Sequence, residues 1–388
     1  MISFDNTEIA FASKTDKDLQ WSYRLFKIIG RPWIVKMGKW MTNFALAIRL
    51  PIKGIIKRTV FKQFCGGETI AECEGRIKEL DKYHIGTILD YSVEGKDGES
   101  DLDKTRDEII ATIDKAAGNP AIPFSVFKIT GLIPSKALEA ANKSLENLSP
   151  KDKGEHERAV ARVEAICQYA FNKQVPIFID AEDSWYQDEI DRLANEMMKK
   201  FNQEKAIVYN TVQMYRHDRL CFLEKSLNLA KSENFKLGIK LVRGAYMEKE
   251  RERAIEKGYP SPIQSSKENT DRDYNLALEY LIKNIDRTAI CAGTHNEQSS
   301  QYLTELMKEA NIPLDDRRIY FAQLLGMSDH ISFNLSHKGY NVAKYVPFGP
   351  VRDVMPYLIR RAEENTSVAG QTSRELNLLK TEKARRKL

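Results

Sequence analysis

The sequence predicts an α/β chain: a (β/α)8 barrel preceded by an N-terminal helical segment. Three observations lead there. Eight short apolar stretches, each closed by a polar or glycine-containing turn, alternate with amphipathic helical stretches between residues 86 and 365. Such alternation lays strands parallel, because each crossover helix returns the chain to the same end of the sheet. A doubly wound sheet shares the alternation, but no Gly-x-Gly-x-x-Gly follows the first strand, which counts against a dinucleotide-binding sheet. The first 80 residues differ in composition from the rest.

Strands are expected at 86–93, 124–130, 176–180, 206–213, 236–242, 288–294, 318–324 and 340–346, each short and rich in apolar and β-branched residues. Helices are expected at 104–117, 154–172, 185–200, 215–231, 273–284, 297–309 and 351–365, where apolar residues recur at helical spacing. The 388 residues then divide into a helical segment (1–80), the barrel (81–370) and a basic C-terminal tail (371–388).

Charge is unevenly placed. Residues 19–67 contain ten Lys and Arg and no Asp or Glu, in a chain of net charge +5, and hold Trp21, Trp33 and Trp40 of the four tryptophans. Basic residues interleaved with aromatics suit an interfacial helix on an anionic membrane surface, or a helical subdomain whose aromatics pack inward. No nucleic-acid recognition motif accompanies the patch. No apolar run is long enough to span a membrane, and Asp5, Glu8, Asp16 and Asp18 interrupt any signal-peptide core. Five cysteines without CxxC spacing indicate neither a disulfide framework nor a zinc site, and favour a reducing, intracellular compartment. The scattered histidines offer no metal spacing, and no Gly-x-Ser-x-Gly elbow or Cys/His pair supports acyl chemistry.

In a barrel of this kind the chemistry sits at the C-terminal strand ends, so polar residues there are the candidates. Lys128 closes the second strand and Asp180 the third; an apolar strand ending in lysine needs a partner or a polar cavity, and a Lys128–Asp180 pair would meet that need as a site or as a buried structural bridge. Gln213 ends the fourth strand. The fifth carries Lys240, Val242, Arg243, Gly244, Ala245 and Tyr246, two cations with a glycine that lets a ligand approach the backbone. Thr294 and His295 end the sixth strand, Gln323 and Leu325 the seventh, and Tyr345 lies in the eighth. The following helix holds Arg360 and Arg361, whose planar forks match a carboxylate. A cationic, amide-rich, aromatic pocket results, suited to an anionic cofactor and a carboxylate substrate.

Together these motifs resemble the proline dehydrogenase family: ILDYSVEG, FKITGL, FIDAED, NTVQMY, KLVRGAYMEKERERA, AGTHNEQS, YFAQLLGM, KYVPFG and YLIRRAEENTS occur in order across most of residues 60–370. The resemblance is to the single-function, eukaryote-like branch. It implies a distorted (β/α)8 TIM barrel that binds FAD and oxidises L-proline to Δ1-pyrroline-5-carboxylate, passing electrons to a quinone. It implies Arg360 and Arg361 as the carboxylate clamp, with Lys128, Asp180, Tyr246 and Tyr345 completing the substrate pocket and Asp180 and Lys240 acting in catalysis. It assigns Ala181, Gln213, Lys240, Val242, Arg243, Gly244, Ala245, Thr294, His295 and Glu364 to the flavin, together with Lys267, Thr270, Gln323, Leu325 and Ser367. It also favours residues 19–67 as a peripheral membrane-docking surface, in the cytoplasm or, in a eukaryote, the mitochondrion. Two features set this chain apart: Lys240 stands where bacterial relatives often have arginine, and Tyr345 where hydroxyproline-oxidising relatives tend to have a smaller residue. The alternatives are a hydroxyproline dehydrogenase and a Schiff-base lyase or aldolase using Lys128 or Lys240.

Overall fold

The computed structural model describes residues 2–31, 33, 53–93, 98–367 and 371–388, the side chains of 362–367 and 371–373 excepted. Eight strands form: β1 (Ile85–Tyr91), β2 (Phe124–Lys128), β3 (Ile177–Asp180), β4 (Val208–Gln213), β5 (Leu237–Val242), β6 (Thr288–Gly293), β7 (Ile319–Leu324) and β8 (Val342–Phe348). They close in chain order into a parallel barrel, β8 pairing with β1 from Ile85↔Val342 to Tyr91↔Phe348.

Both faces of every strand are covered, which is why the strands read as nearly continuous apolar runs. One alternating set, including Ile88, Val126, Phe178, Tyr209, Cys291, Ala343 and Tyr345, packs inside the barrel. The other set, including Leu89, Phe127, Ile179, Leu241, Phe321 and Val346, meets the surrounding helices. The N-terminal half of the barrel is plugged by aromatics: Phe124 stacks on Phe178 at 4.4 Å and meets Tyr320 edge-on at 4.8 Å. Two residues further along, on the same inward phase, stand Asp90, Lys128 and Asp180. Lys240 is registered with Cys291 on the neighbouring strand and shares its inward face. A charged layer therefore sits directly above an aromatic floor.

All seven expected helices are present with shifted ends, and Lys267–Lys283 starts six residues before its expected position because Ser266 caps it, its hydroxyl accepting the Asn269 N–H at 3.2 Å. Within the barrel, three described helices were not anticipated: Ser135–Lys143, Met247–Lys257 and Asp329–His337. Met247–Lys257 has almost no apolar periodicity to read. Polar bonds across the barrel mouth hold it instead: Lys249 to Asp183 at 2.7 Å, Glu250 to the Ser184 amide and hydroxyl at 2.6 Å each, and Arg253 to Glu139 at 2.8 Å.

A second core joins the two ends of the chain. Phe11, Leu19, Leu25 and Phe26 of the N-terminal segment pack with Val354, Tyr357 and Leu358, and with Leu378 and Leu379. The last two belong to Gln371–Arg385, so the residues read as a basic tail include a docked helix; Arg386 beyond it donates to the carbonyls of Phe11 and Lys14 at 2.9 and 2.8 Å. In the basic N-terminal segment the helix Asp16–Ile29 buries Leu25, Phe26 and Ile29, while Ile28, Trp33 and Ile55 are exposed. Trp40 lies outside the described residues. No described helix is long and apolar enough to cross a membrane.

Candidate active site

Above the aromatic floor, Lys240 is buried between two rings, its Nζ 4.5 Å from the centre of Tyr345 and 5.2 Å from that of Phe178. It donates to the Tyr345 hydroxyl at 2.6 Å and forms an ion pair with Asp180. The Tyr345 hydroxyl in turn donates to Asp180 at 3.1 Å. Three strands, β3, β5 and β8, thus contribute to one closed hydrogen-bonded triangle. Burial, and then the Asp180 charge, hold the Tyr345 phenol well above its ordinary range, so it stays a neutral donor.

Lys128 lies at the edge of this triangle, paired with Asp180 as expected and, more closely, with a second carboxylate that was not expected. Its Nζ is 3.2 Å from Asp90 of β1 and 4.0 Å from Asp180. The pairing follows from strand order: β2 runs between β1 and β3, so Lys128 sits between two inward carboxylates and leans to the more buried one. Asp90 was missed, although it lies near the end of β1, two residues after the inward Ile88, and the inward phase would have flagged it.

The helix Met355–Ser367 brings the two arginines over the same mouth. The Arg360 guanidinium lies 5.8 Å from the Tyr246 ring and is close enough to Asp183 for its charge to favour that carboxylate. Arg361 is buried, 5.2 Å from the Tyr357 ring, and its charge acts on His295 at the end of β6. The pair therefore reaches from the β3 side to the β6 side. The side chains of Glu364 and Ser367 lie outside the described residues.

The remaining candidates line the ends of β4 to β7. Arg243 is fixed by three bonds: Nε to Asp271 at 2.7 Å, Nη1 to the Thr294 hydroxyl at 2.6 Å and Nη2 to Ser299 at 3.0 Å. Gln213 donates to the Glu182 carbonyl at 2.9 Å. Gln323 donates to the Thr294 carbonyl at 3.1 Å and accepts from Ser332 at 2.7 Å. Burial, then the charges of Lys344 and Arg361, push His295 down to about 3, so it is a neutral imidazole whose Nδ1 lies 2.9 Å from the Ser328 hydroxyl. Gly244 has φ +132°, and a Cβ there would stand 2.5 Å from the Tyr215 ring, so only glycine lets the chain turn out of β5 at this point. Ala181, Val242 and Ala245 are partly or fully exposed at the same end. Thr270 is buried, while Lys267 stands exposed at the start of its helix and is ion-paired with Asp271, the acceptor of Arg243. Leu325 is buried in the turn after β7, its amide bonded to the Tyr345 carbonyl at 2.8 Å.

Comparison with known proteins fits this arrangement. The family model described as proline dehydrogenase matches residues 73–374. The chain belongs to the proline dehydrogenase family. It is 36% identical to proline dehydrogenase 1, mitochondrial, of Dictyostelium discoideum, covering 98% of this chain and 74% of that protein. It is 30% identical to hydroxyproline dehydrogenase of Xenopus laevis, covering 97% of this chain and 88% of the relative. Among solved structures, proline utilization A from Bdellovibrio bacteriovorus inactivated by N-propargylglycine superposes with a TM-score of 0.72 at 21% identity, over 93% of this chain and 38% of that one; it shares the fold.

Family membership implies a flavin, and the residues fit one. A flavin ring edge carries an N–H donor beside carbonyl acceptors, and FAD adds an anionic diphosphate. Gln213 Oε1 is buried with no hydrogen-bond partner among the described residues, an acceptor awaiting a donor. Arg243, Thr294 and the N-terminus of the helix Lys267–Lys283 gather positive charge and donors alongside it.

Proposed function

We propose that the chain oxidises L-proline to Δ1-pyrroline-5-carboxylate with FAD as its resident cofactor, handing the electrons to a membrane quinone. The observation that carries this reading is the convergence of Lys128, Arg360 and Arg361 on a mouth whose floor is the Asp180–Lys240–Tyr345 triangle, in a chain of this family.

The roles follow from charge and placement. Arg360 and Arg361 bind the substrate carboxylate through charge-assisted hydrogen bonds, and Lys128 adds a third cation beside it. Tyr246 and Tyr345 bracket the ring. Asp180, held by Lys240 and Tyr345, faces the amine and favours it close to the reacting centre. Lys240 places a fixed positive charge in a dry site, where it would favour the arrival of electrons at the acceptor. When bound, FAD would supply the hydride acceptor for the ring carbon next to nitrogen, with the amine proton released to solvent. Gln213, Lys240, Arg243, Gly244, Thr294 and His295 are its proposed contacts, with Ala181, Val242, Ala245, Lys267, Thr270, Gln323, Leu325, Glu364 and Ser367 around them.

Tyr345 also argues for proline over hydroxyproline. Its hydroxyl is tied to Lys240 and Asp180, so the phenol cannot swing aside for a ring hydroxyl. The Schiff-base alternative requires a lysine amine free to attack a carbonyl, whereas Lys240 is engaged by Asp180 and Tyr345, and Lys128 by Asp90. Exposed Ile28, Trp33 and Ile55 among Lys and Arg residues support docking of the N-terminal segment on an anionic membrane, where a quinone is available. The proposed location is intracellular, at that membrane, and mitochondrial in a eukaryote.

The test is turnover of the FAD-loaded protein with a dye acceptor. L-proline is expected to be oxidised with kcat/KM at least about tenfold above that for 4-hydroxy-L-proline. Equal rates would remove the specificity argument, and no turnover of either would remove the assignment.

A further inference from the structure

Glu182 lies two residues beyond β3 and was not among the residues the sequence singled out. It is 6% exposed, and its polar groups are all engaged. Oε1 accepts the Thr130 N–H at 3.0 Å, and Oε2 accepts the Thr130 hydroxyl. Its own amide donates to Gln187 Oε1 at 2.8 Å, and its carbonyl accepts Gln213 Nε2 at 2.9 Å. Thr130 belongs to the single turn Ile129–Gly131 that immediately follows Lys128, and Gln213 ends β4. One residue therefore ties together the C-terminal ends of three adjacent strands, and its carboxylate grips the turn next to the lysine at the substrate mouth.

The grip does not depend on its charge. Burial raises the Glu182 carboxyl to about 7, against the pull of the two Thr130 bonds and of Lys128, with Asp183 adding to the rise. When protonated, Glu182 donates its proton to the Thr130 hydroxyl while the other oxygen still accepts the amide. A neutral group of the same shape can do the same work.

We propose that Glu182 is a positioning residue for the substrate carboxylate: by clamping Thr130 it fixes the backbone that carries Lys128 at the mouth of the site. This rests on the reading of L-proline as substrate. It predicts a defect in substrate binding more than in chemistry, because Glu182 holds the turn that presents Lys128 and does not itself reach the Asp180–Lys240–Tyr345 triangle.

Three variants of the FAD-loaded enzyme test it: Glu182→Ala and Thr130→Val, which break the clamp, and Glu182→Gln, which can still accept the amide and donate to the hydroxyl. Glu182→Ala and Thr130→Val are expected to raise KM for L-proline about tenfold with kcat changed about twofold or less, and Glu182→Gln to keep KM within about twofold of wild type. Binding of cyclopentanecarboxylate, a ring acid that cannot be oxidised, should weaken in parallel when read from the flavin spectrum. Hydrogen exchange across residues 124–133 should accelerate in Glu182→Ala and not in Glu182→Gln. Unchanged KM in Thr130→Val, a kcat loss at constant KM, or equal damage in Glu182→Ala and Glu182→Gln would overturn the proposal. Wild-type turnover of L-proline separates the two failures: if it is absent, the substrate reading fails, and the exchange and cyclopentanecarboxylate measurements still decide the clamp.

Discussion

Replacing Lys240 by methionine removes the central cation of the Asp180–Lys240–Tyr345 triangle while preserving its length and most of its volume. Asp180, whose side chain is 13% exposed, would keep the Tyr345 hydroxyl at 3.1 Å and Lys128 at 4.0 Å, but lose its nearest positive charge. Removing one partner of a buried pair costs about 3–5 kcal/mol. The remaining Lys128 and the partial access of water reduce this to about 2–3 kcal/mol. At about 2 °C per kcal/mol for a chain of this size, unfolding should fall by about 4–6 °C. The double variant Lys240→Met/Asp180→Asn strands no charge and should recover to within about 2 °C of wild type. Thermal unfolding of the three proteins, followed by circular dichroism at one scan rate, measures this directly. A single variant as stable as wild type, or a double variant no better than the single, would refute the claim that these residues form a coupled network.

Other expectations concern the mouth, the pH response and the surface. Arg360→Ala and Arg361→Ala should each raise KM for L-proline by about 10–100-fold, the scale of one charge-assisted hydrogen bond, in steady-state assays. His295 is held neutral in the folded protein, with its affinity for a proton lowered to about 3. The unfolded state therefore binds the extra proton first, so stability should fall as pH drops below about 6.5, with a limiting slope of about 1.4 kcal/mol per pH unit. Denaturant titrations at several pH values should show that slope reduced in His295→Asn. Gly244→Ala, with φ +132° and Tyr215 in the way, should release flavin or unfold at a lower temperature, read from the ratio of visible to ultraviolet absorbance. Changing the exposed Ile28, Trp33 and Ile55 together to aspartate should abolish flotation with anionic vesicles and leave L-proline turnover with a dye acceptor unaltered.

The barrel was legible because its strands are buried on both faces, and each expected strand overlaps one that forms. The grouping of the candidate residues was legible where a polar residue interrupted an apolar strand end, as with Lys128, Asp180 and Lys240. Partnership was legible in part: the expected Lys128–Asp180 pair forms at 4.0 Å, but which of the two carboxylates flanking β2 stands nearer is set by side-chain packing, which periodicity does not encode. Met247–Lys257 escaped notice because charges, not an apolar stripe, hold it in place. Glu182 escaped for a related reason: it follows the strand end and acts through Thr130, fifty-two residues away in sequence.

The central claim, that this mouth oxidises L-proline with a bound flavin, is tested most directly by one spectrum. The purified protein, loaded with FAD and kept free of oxygen, should show the visible bands of an oxidised flavin and lose them on addition of L-proline. Bands that persist with L-proline present, or a protein that retains no flavin at all, would contradict it.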